Sequence, residues 1–460
     1  MRNKVIMLLL EINGLQILKK EKYMLDQLKR KQFNKKLKNE ENPRNNFILS
    51  EHLWICNDVS IKHRNHNVLA IAMNDADRIM QTNILQTNQN YIIFDSYRYL
   101  YDSTKDQLEK EGYLMKIIDF NHPEQSDLCN IFEYIHTAED LEEFISIMVE
   151  DVLYNASYNS DVVQSKDIMT SILRVILYYL GYESLIKHRN IMRIINLLKQ
   201  LHPDNKDGRR RMEFKFEMVY NEEIKTLILK EWSSIKDNHS YEEQKQAFVN
   251  LVVYSHFLMN CKEFQTLTCD NDLHLEEIKD KKVAIFFEIG RADIFQEYMK
   301  SIFHFMLKEI LTEEKEKAYP VQIIFYNETF FGDYIGNLTE KFMDMDRYNV
   351  RCFCVVQSHD RLRFLFSKSK EDYEVLKLNE IDEEILNFFD TVIFNKNSYV
   401  DKLFTDEIMS SDLKEYEKII SNFTGKKYAK KEIKQLRKIS KDQCAVLVRG
   451  ERMVVDDIIK

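Results

Sequence analysis

Glycine and proline are scarce in this chain. There are 9 Gly and 4 Pro among 460 residues, roughly a quarter of their usual combined share. This scarcity excludes collagen-like, Gly/Ser-linker and glycine-rich repeat architectures. It also bears on phosphate binding, because phosphate-cradling loops are built from glycine, whose missing Cβ lets backbone N–H groups close on an anion. Hydrophobic residues make up 44% of the chain, enough to bury sizeable cores, so a disordered tail is excluded as well.

Cysteine pairs and long apolar runs are also lacking. The 7 Cys include no CxxC pair, which favours reduced, buried thiols over a disulfide framework or a zinc site. The best apolar run, residues 5–10, stops at Glu11, far short of the ~20 residues that a transmembrane helix needs. We therefore expect a cytoplasmic protein that has no transmembrane segment of its own and no bound metal. Its contact with the inner face of the cell membrane would be peripheral, through partners or a basic N-terminus.

Charge is distributed unevenly along the chain. The net charge is −9, so the whole chain is no polycation for nucleic acid. Residues 1–45, however, hold twelve Lys/Arg and five Asp/Glu, a net charge of +7, which leaves −16 on the remainder. Apolar residues at helical spacing within this range predict a basic helical N-terminal extension, 1–45. A solvated helix and a contact with nucleic acid are both open for it.

Short apolar runs predict the strands of a parallel sheet. The first three occupy residues 67–73, 90–95 and 113–120, and the segments between them are long enough for crossover helices. After a helical block, such runs resume and alternate with helical stretches at 292–313, 337–347 and 376–388. The later strand runs are 282–288, 321–328, 350–357, 390–394 and 444–449.

The helical block separates the two groups of strands. Apolar residues there recur every three or four positions, which predicts helices. The predicted helices are 139–153, 167–180, 191–200, 222–234 and 242–258. The sequence therefore predicts a doubly wound α/β domain assembled from residues 46–135 and 276–460, with an all-α domain, residues 136–275, inserted between its parts.

Several segments resemble, in order, the motifs of one family. Asn130-Ile-Phe-Glu-Tyr-Ile135 is similar to Asn-Pro-Phe-x-Tyr-Ile, and Phe325–Gly332 falls where that family has Asp-Glu-Phe-x-x-x-Gly. Val355-Val-Gln-Ser358 is similar to a strand that ends in Gln-Ser, and 387–391 to Asn-Cys-Asp-Thr. Over residues 46–458 the chain thus resembles the TraG/TraD-like type IV secretion coupling proteins, hexameric P-loop ATPases that deliver DNA or protein substrates to a conjugative channel.

The resemblance carries expectations about fold and partners. It implies a RecA-like P-loop-type sheet with an inserted all-α domain. It also implies partnership with the type IV secretion or conjugation machinery, with a catalytically competent coupling ATPase in a hetero-oligomer, and with DNA or a DNA–protein complex.

The nucleotide loop departs from the family pattern. A P-loop needs Gly-x-x-x-x-Gly-Lys-Ser/Thr, because glycines admit the phosphates, lysine neutralises their oxygens and the hydroxyl holds Mg²⁺. Residues 72–78 contain no glycine, lysine, serine or threonine. Each acid here that contacts a triphosphate would cost on the order of 1–4 kcal/mol. The residues expected at this degenerate loop are Asn74, Asp75, Asp77 and Arg78, with Asp95, Asn327 and Gln357 around it.

The magnesium site is altered as well. Where the family has an aspartate that holds Mg²⁺ through its water shell, followed by a carboxylate that orients the attacking water, this chain has Asn327 and Glu328. An amide supplies an oxygen but no charge, so Glu328 is interpreted as vestigial. We expect a pseudo-ATPase with no cofactor. The alternative is an atypical DNA-translocating ATPase that uses Mg²⁺ and ATP, with Arg78 in place of the lysine and Glu328 as the catalytic residue.

A short basic cluster lies in the helical block. Its members are Arg209, Arg210, Arg211 and Lys215, which flank Phe214. The cluster could meet a phosphate backbone or an acidic partner, and it could equally be the charged start of a helix. The preferred function is therefore a coupling-protein homologue that acts by binding substrate or partner subunits. A nucleotide-independent DNA-binding module that uses 1–45 and 209–215 is a further alternative.

Overall fold

The structure is a computed structural model, and it describes most of the chain. The described residues are 24–43, 45–57, 66–71, 76–95, 98–119, 121–183, 189–258, 262–288, 293–312, 318–326, 345–356, 386–395, 412–436, 439–440 and 442–459. The two helices predicted at 337–347 and 376–388 lie largely outside these ranges.

Strands of the described residues form a small sheet and a large one. The small sheet pairs two short strands antiparallel, and the large sheet has nine strands in the order β11-β10-β9-β3-β8-β7-β4-β6-β5. In chain order the strands are β1 Asn46–Ile48, β2 Trp54–Cys56, β3 Val68–Ile71, β4 Asn90–Asp95, β5 Leu114–Asp119, β6 Val283–Glu288, β7 Val321–Tyr326, β8 Val350–Val356, β9 Thr391–Asn395, β10 Gln443–Val448 and β11 Val454–Asp457.

The centre of the large sheet is parallel. Strands β9, β3, β8, β7 and β4 are consecutive parallel neighbours, and β10 and β11 add an antiparallel edge. Every residue of β3, β4, β6 and β8 is buried, as expected for continuous apolar runs in a sheet covered on both faces. The predicted doubly wound α/β class is confirmed.

Within the described residues, helices lie before β1 and in many of the connections between strands. Their bounds lie within a few residues of the predicted ones where both exist. In chain order they are α1 24–37, α2 Ala76–Ile84, α3 Tyr99–Lys110, α4 Ala138–Asn155, α5 Ser160–Gln164, α6 Lys166–Glu183, α7 Ile191–Leu201, α8 Lys206–Glu217, α9 Glu222–Asn238, α10 Tyr241–Tyr254, α11 Lys262–Leu267, α12 Asp293–Thr312, α13 Asp412–Thr424 and α14 Lys426–Leu436.

The chain divides into two compact units. The first, which we call the α/β unit, comprises residues 1–115, 278–284 and 314–460, and the second, the helical unit, comprises 116–277 and 285–313. The helical unit contains the whole of the predicted insertion, 136–275, together with α12. The domain boundaries given above remain a prediction.

Helix caps and aromatic contacts order the helical unit. Thr137 opens α4 with a capping box in which its side chain and that of Asp140 exchange hydrogen bonds with the backbone, which satisfies N–H groups that a helix start leaves unpaired. Ser240 opens α10 in the same way. Phe144 of α4 is fully buried and packs edge-to-face against Phe132 and Phe257. These contacts give the unit a core of its own.

Candidate functional site at the carboxyl edge of the sheet

Five parallel strands of the α/β unit end side by side along one edge of the sheet. Ile71 of β3 pairs with Val356 of β8, and Tyr326 of β7 pairs with Val355. The chain leaves β3 toward β4 and leaves β8 toward β9, so the two connections run in opposite directions from adjacent strands. Open α/β sheets bind ligands outside the carboxyl ends of the strands at such a switch point. The ends of β3 and β8 are therefore the candidate site.

The junction between β3 and α2 is short and acidic. Four residues, 72–75, separate Ile71 from Ala76, the first residue of α2. Asp77 lies in the first turn of α2 and is half-buried, whereas Arg78 is exposed. A helix N-terminus attracts anions, but here the carboxylate of Asp77 stands at that position already. Burial, and after it the carboxylate of Asp77, raises the pKa of the neighbouring Tyr99.

At the junction between β4 and α3, a buried aspartate accepts hydrogen bonds from the helix. Asp95 is 1% exposed, and its Oδ2 accepts hydrogen bonds from the backbone N–H of Leu100 at 2.6 Å and of Tyr101 at 3.1 Å. Asp95 therefore caps α3 with charge-assisted hydrogen bonds. Strand β4 is three positions from β3 in the sheet, which separates Asp95 from the end of β3 by about 14 Å at about 4.8 Å per strand.

The other residues predicted for this site lie outside the described residues. They are Asn74, Asp75, Asn327, Glu328 and Gln357. Their chain positions are informative nevertheless. Asn327 and Glu328 directly follow β7, Gln357 directly follows β8, and Asn74 and Asp75 fall between β3 and α2. Since β3, β8 and β7 are neighbours in the sheet, these three segments leave from adjacent strand ends.

Two asparagines that the sequence analysis did not single out fix the strands behind the site. The side chain of Asn67, directly before β3, accepts from Cys352 N at 2.8 Å and donates to Phe388 O at 3.1 Å. The side chain of Asn90 accepts from Val283 N and donates to a backbone carbonyl, both at 2.8 Å. Both asparagines are 1% exposed, so their bonds hold strands in register where water is excluded. Their signal was an Asn at the start of each apolar run.

Comparison with known proteins bears on this scaffold. A family model described as "Type IV secretory system Conjugative DNA transfer" matches residues 79–378, more than half of the chain. The chain belongs to this family. The TraG/TraD-like resemblance is therefore confirmed, and with it a place in conjugative DNA transfer.

Solved structures of coupling proteins share the fold. The chain is similar to the bacterial conjugative coupling protein TrwBdeltaN70 in its unbound monoclinic form, with 9% identity, 90% of this chain and 88% of that chain covered, and a TM-score of 0.53. It is also similar to the plasmid coupling protein TrwB in complex with ADP and Mg²⁺, with 10% identity, 86% and 85% coverage and a TM-score of 0.53. At such low identity these structural matches show the fold alone, and they confirm the predicted RecA-like P-loop-type sheet. No curated protein matches the chain.

The family's nucleotide chemistry does not fit the residues at the β3–α2 junction. A triphosphate needs backbone N–H groups that converge on it and a cation beside them. The first turn of α2 instead carries the carboxylate of Asp77, and residues 72–75 contain no glycine. Residues 72–78 therefore include none of the glycine, lysine and hydroxyl residues that a P-loop uses.

The basic cluster of the helical unit separates into inner and outer members. Arg209 donates from Nε to Leu201 O at 2.7 Å and from Nη1 to Gln244 Oε1 at 3.0 Å, and its guanidinium lies 5.0 Å from the centre of the Trp232 ring. Burial lowers the pKa of Arg209, which is engaged in holding α8 to its neighbours. Arg210, Arg211 and Lys215 are exposed on α8, and Phe214 between them is 64% exposed.

A cluster of potential metal ligands was not predicted by sequence. Within the described residues, His52, Asp456 and Asp457 of the α/β unit bring one ligand atom each within 4.8 Å of one another. The guanidinium of Arg30, on α1, lies 2.7 Å from Asp456 and 3.2 Å from Asp457, and Ser50 Oγ donates to Asp456 at 2.6 Å. A cation and a hydroxyl thus already satisfy these carboxylates. The cluster joins part of the basic N-terminal extension to the last strand.

None of the helices within the described residues is both long and apolar enough to cross a bilayer.

Proposed function

We propose that this family member takes part in conjugative DNA transfer by binding substrate or partner subunits, without hydrolysing ATP. The observation that carries the proposal is the β3–α2 junction. It allows four residues between strand and helix, and it puts the carboxylate of Asp77 at the helix start where the phosphates would have to bind. Like charges in a partly dry site repel by about 1–4 kcal/mol per contact, and Arg78, which is exposed, cannot replace a cradle of backbone N–H groups.

The residue at the expected magnesium-binding position supports the same proposal. Asn327 follows β7 in the place of a magnesium-binding aspartate. Mg²⁺ binds through carboxylates and waters in nucleotide sites, so an amide there weakens metal binding. This substitution is independent of the changes at residues 72–78, because it follows a different strand, β7.

Two binding roles are compatible with these residues. The chain receives substrate through its helical unit, or it co-assembles with a competent coupling ATPase. Both place it in the cytoplasm at the inner face of the membrane, reached through partners. Analytical size-exclusion chromatography of the chain mixed with the coupling ATPase of the same conjugative element separates the two roles, since only co-assembly gives a shared peak.

ATP hydrolysis by the purified chain tests the proposal. Phosphate release is measured with Mg²⁺ and ATP, alone and with single- or double-stranded DNA. The wild-type chain and its Glu328→Gln variant are expected to release phosphate at the same background rate. Turnover that disappears in Glu328→Gln and in Arg78→Ala would contradict the proposal and establish the atypical ATPase instead.

A second candidate function is DNA binding by the helical unit. The exposed Arg210 and Arg211 lie one helical turn from exposed Phe214 and Lys215, a combination of cations and an aromatic face that suits single-stranded nucleic acid. The Arg210→Gln/Arg211→Gln variant should reduce the slope of log K against log salt by about two. A matched control is Lys105→Gln/Lys110→Gln in the α/β unit. An equal effect of both variants, or no DNA binding by the wild type, would reject this function.

A further inference from the structure

A groove of about 430 Å³ lies in the α/β unit between α1, α14 and the last two strands. Its volume falls in the range of about 300–1,000 Å³ that is usual for ligand sites. The family model matches residues 79–378 only, so none of the groove residues falls under it. The groove is lined by Leu25, Asp26, Lys29, Lys431, Lys434, Gln435, Ile439, Gln443 and Val455.

The helix α14 has a basic face, of which Lys431 and Lys434 line the groove and Lys427 and Lys430 lie outside it. Lysines at 427, 430, 431 and 434 recur every three or four residues and are all exposed, which places them on one side of the helix. The opposite side is buried through Ala429, Ile433 and Leu436. Like charges at this spacing destabilise an isolated helix by a few tenths of a kcal/mol per pair, so an anionic ligand would relieve the repulsion.

The charges inside the groove are not balanced. Lys29 on the α1 wall lies 3.5 Å from Asp26, which offsets its charge. For Lys431 and Lys434, by contrast, the part of the chain that the structure describes offers no carboxylate within salt-bridge distance. The one acid of α14, Glu432, is 1% exposed and contacts Arg452 on the buried side. Two uncompensated cations therefore face the groove three residues apart.

Both walls are held in place by contacts outside the groove. On α1, Arg30 pairs with Asp456 and Asp457, and Asn34 accepts a hydrogen bond from Trp54 N at 3.1 Å. On α14, the guanidinium of Arg452 lies 4.8 Å from the centre of the Tyr428 ring. The groove is therefore pre-formed, which lowers the entropy cost of binding.

The side chains at the floor of the groove favour one class of polyanion over another. Leu25, Ile439 and Val455 supply aliphatic surface, and none of the nine lining residues is aromatic. Single-stranded nucleic acid is bound by stacking bases on aromatic rings, which this floor does not offer. An amphipathic peptide helix fits better, because carboxylates three or four residues apart match the spacing of Lys431 and Lys434 while leucines meet the aliphatic floor.

We propose that this groove binds an acidic, amphipathic segment of a partner protein. The probe is a fluorescein-labelled peptide of about 15 residues with leucines at helical spacing and glutamates beside them, and fluorescence anisotropy is measured with the full chain. We expect the Lys431→Gln/Lys434→Gln variant to weaken binding about tenfold. The matched control, Lys427→Gln/Lys430→Gln, removes the same charge from the same helix outside the groove and should weaken binding less than about threefold.

Two further comparisons complete the test. Leu25 is 54% exposed, so Leu25→Ser should leave the fold intact and weaken the peptide about threefold to tenfold. A peptide with glutamine in place of glutamate should not bind. The proposal is overturned if the wild type does not bind the acidic peptide at about 1 mM, or if both lysine pairs have equal effects. It is also overturned if an oligonucleotide of equal charge, or an anionic vesicle, binds more tightly through Lys431 and Lys434.

Discussion

The central strands resemble those of a nucleotide-binding sheet more closely than the residues that directly follow them resemble its nucleotide-binding loops. Strands β3 and β8 are buried along their whole length and pair in a parallel register. The four residues after β3, 72–75, include an amide and an acid but none of the glycine, lysine and hydroxyl residues that a phosphate site needs. Packing of a sheet and binding of phosphate thus depend on different residues, so the sheet can pack where the P-loop residues are absent.

Asp95 shows what an acid at this edge does when the fold depends on it. It is buried and accepts two backbone hydrogen bonds. Asp77, in the first turn of the helix at the preceding junction, is half-buried, and its Oδ1 accepts no hydrogen bond. We expect substitutions to have their largest effect in the sheet, a smaller one at Asp95 and at the ion pairs of the helical unit, and the smallest at Asp77.

The largest effect is expected inside the sheet. Ile324 of β7 is 1% exposed, and Ile324→Ala should lower the free energy of unfolding by about 3–4 kcal/mol, through lost burial and the cavity left behind. The control is Leu85→Ala, at an exposed position after α2, which should cost less than about 1 kcal/mol. Urea unfolding measures both. A loss below about 1 kcal/mol for Ile324→Ala would mean that β7 is not part of a packed core.

The second effect concerns Asp95. Asp95→Ala leaves two buried backbone N–H groups of α3 without an acceptor and should cost about 2–3 kcal/mol. Asp95→Asn keeps one acceptor oxygen and should recover about half of this loss. Asp102 lies in the first turn of the same helix with a side chain that is 69% exposed, so Asp102→Ala should cost about 0.5 kcal/mol. Equal costs for the two alanine variants would remove the capping role of Asp95.

The third effect lies in the helical unit, where Lys308 pairs with Asp140 and Glu143. Burial raises the pKa of each carboxyl group, but the hydrogen bonds of Glu143 with His304 and of Asp140 with Lys308 outweigh it and lower both to about 2. Since these pKa values lie below those of an unfolded chain, the stabilisation is complete above about pH 4.5 and is lost as the pH falls toward 2.

Lys308→Met tests this account. It should lower the free energy of unfolding at pH 7 by about 1–3 kcal/mol and flatten its fall between about pH 4.5 and 2. Lys166 and Glu150 form an ion pair at 2.7 Å with side chains 48% and 41% exposed, so the control Lys166→Met should cost less than about 0.5 kcal/mol. Acid unfolding curves of the two variants that coincide would contradict the account.

The smallest effect is expected at Asp77. Asp77→Asn should leave the free energy of unfolding within about 0.5 kcal/mol of the wild type. It should also lower the pKa of Tyr99, because the neighbouring negative charge that helps to raise that pKa is removed. NMR titration of labelled tyrosine measures the shift, with Asp102→Asn as the control. An unchanged Tyr99 pKa would show that the two side chains do not interact.

Much of the fold could be predicted because its strands follow a local pattern. The runs at 67–73, 90–95 and 350–357 are apolar enough to be recognised singly, and the helices between residues 136 and 275 have a clear period. The β1–β2 pair and β11 were missed. They are three or four residues long, and acids at 456 and 457 interrupt the apolar pattern.

Only part of the candidate site could be predicted from the sequence. The missing P-loop chemistry is a local property of residues 72–78. The capping role of Asp95 depends on where α3 begins, and the inner role of Arg209 depends on Gln244 and Trp232 of other helices. The contact of His52 with Asp456 joins residues 404 positions apart. Such pairings follow from tertiary packing, and no pattern within a short window indicates them.

Isothermal titration calorimetry with Mg²⁺ and ATP, repeated with a slowly hydrolysed analogue, tests the central claim most directly. The full chain should give no binding heat at nucleotide concentrations up to about 1 mM, and no shift of its unfolding temperature. A stoichiometric signal that depends on magnesium would contradict the account, because it would show that the sheet keeps its nucleotide site without the P-loop residues.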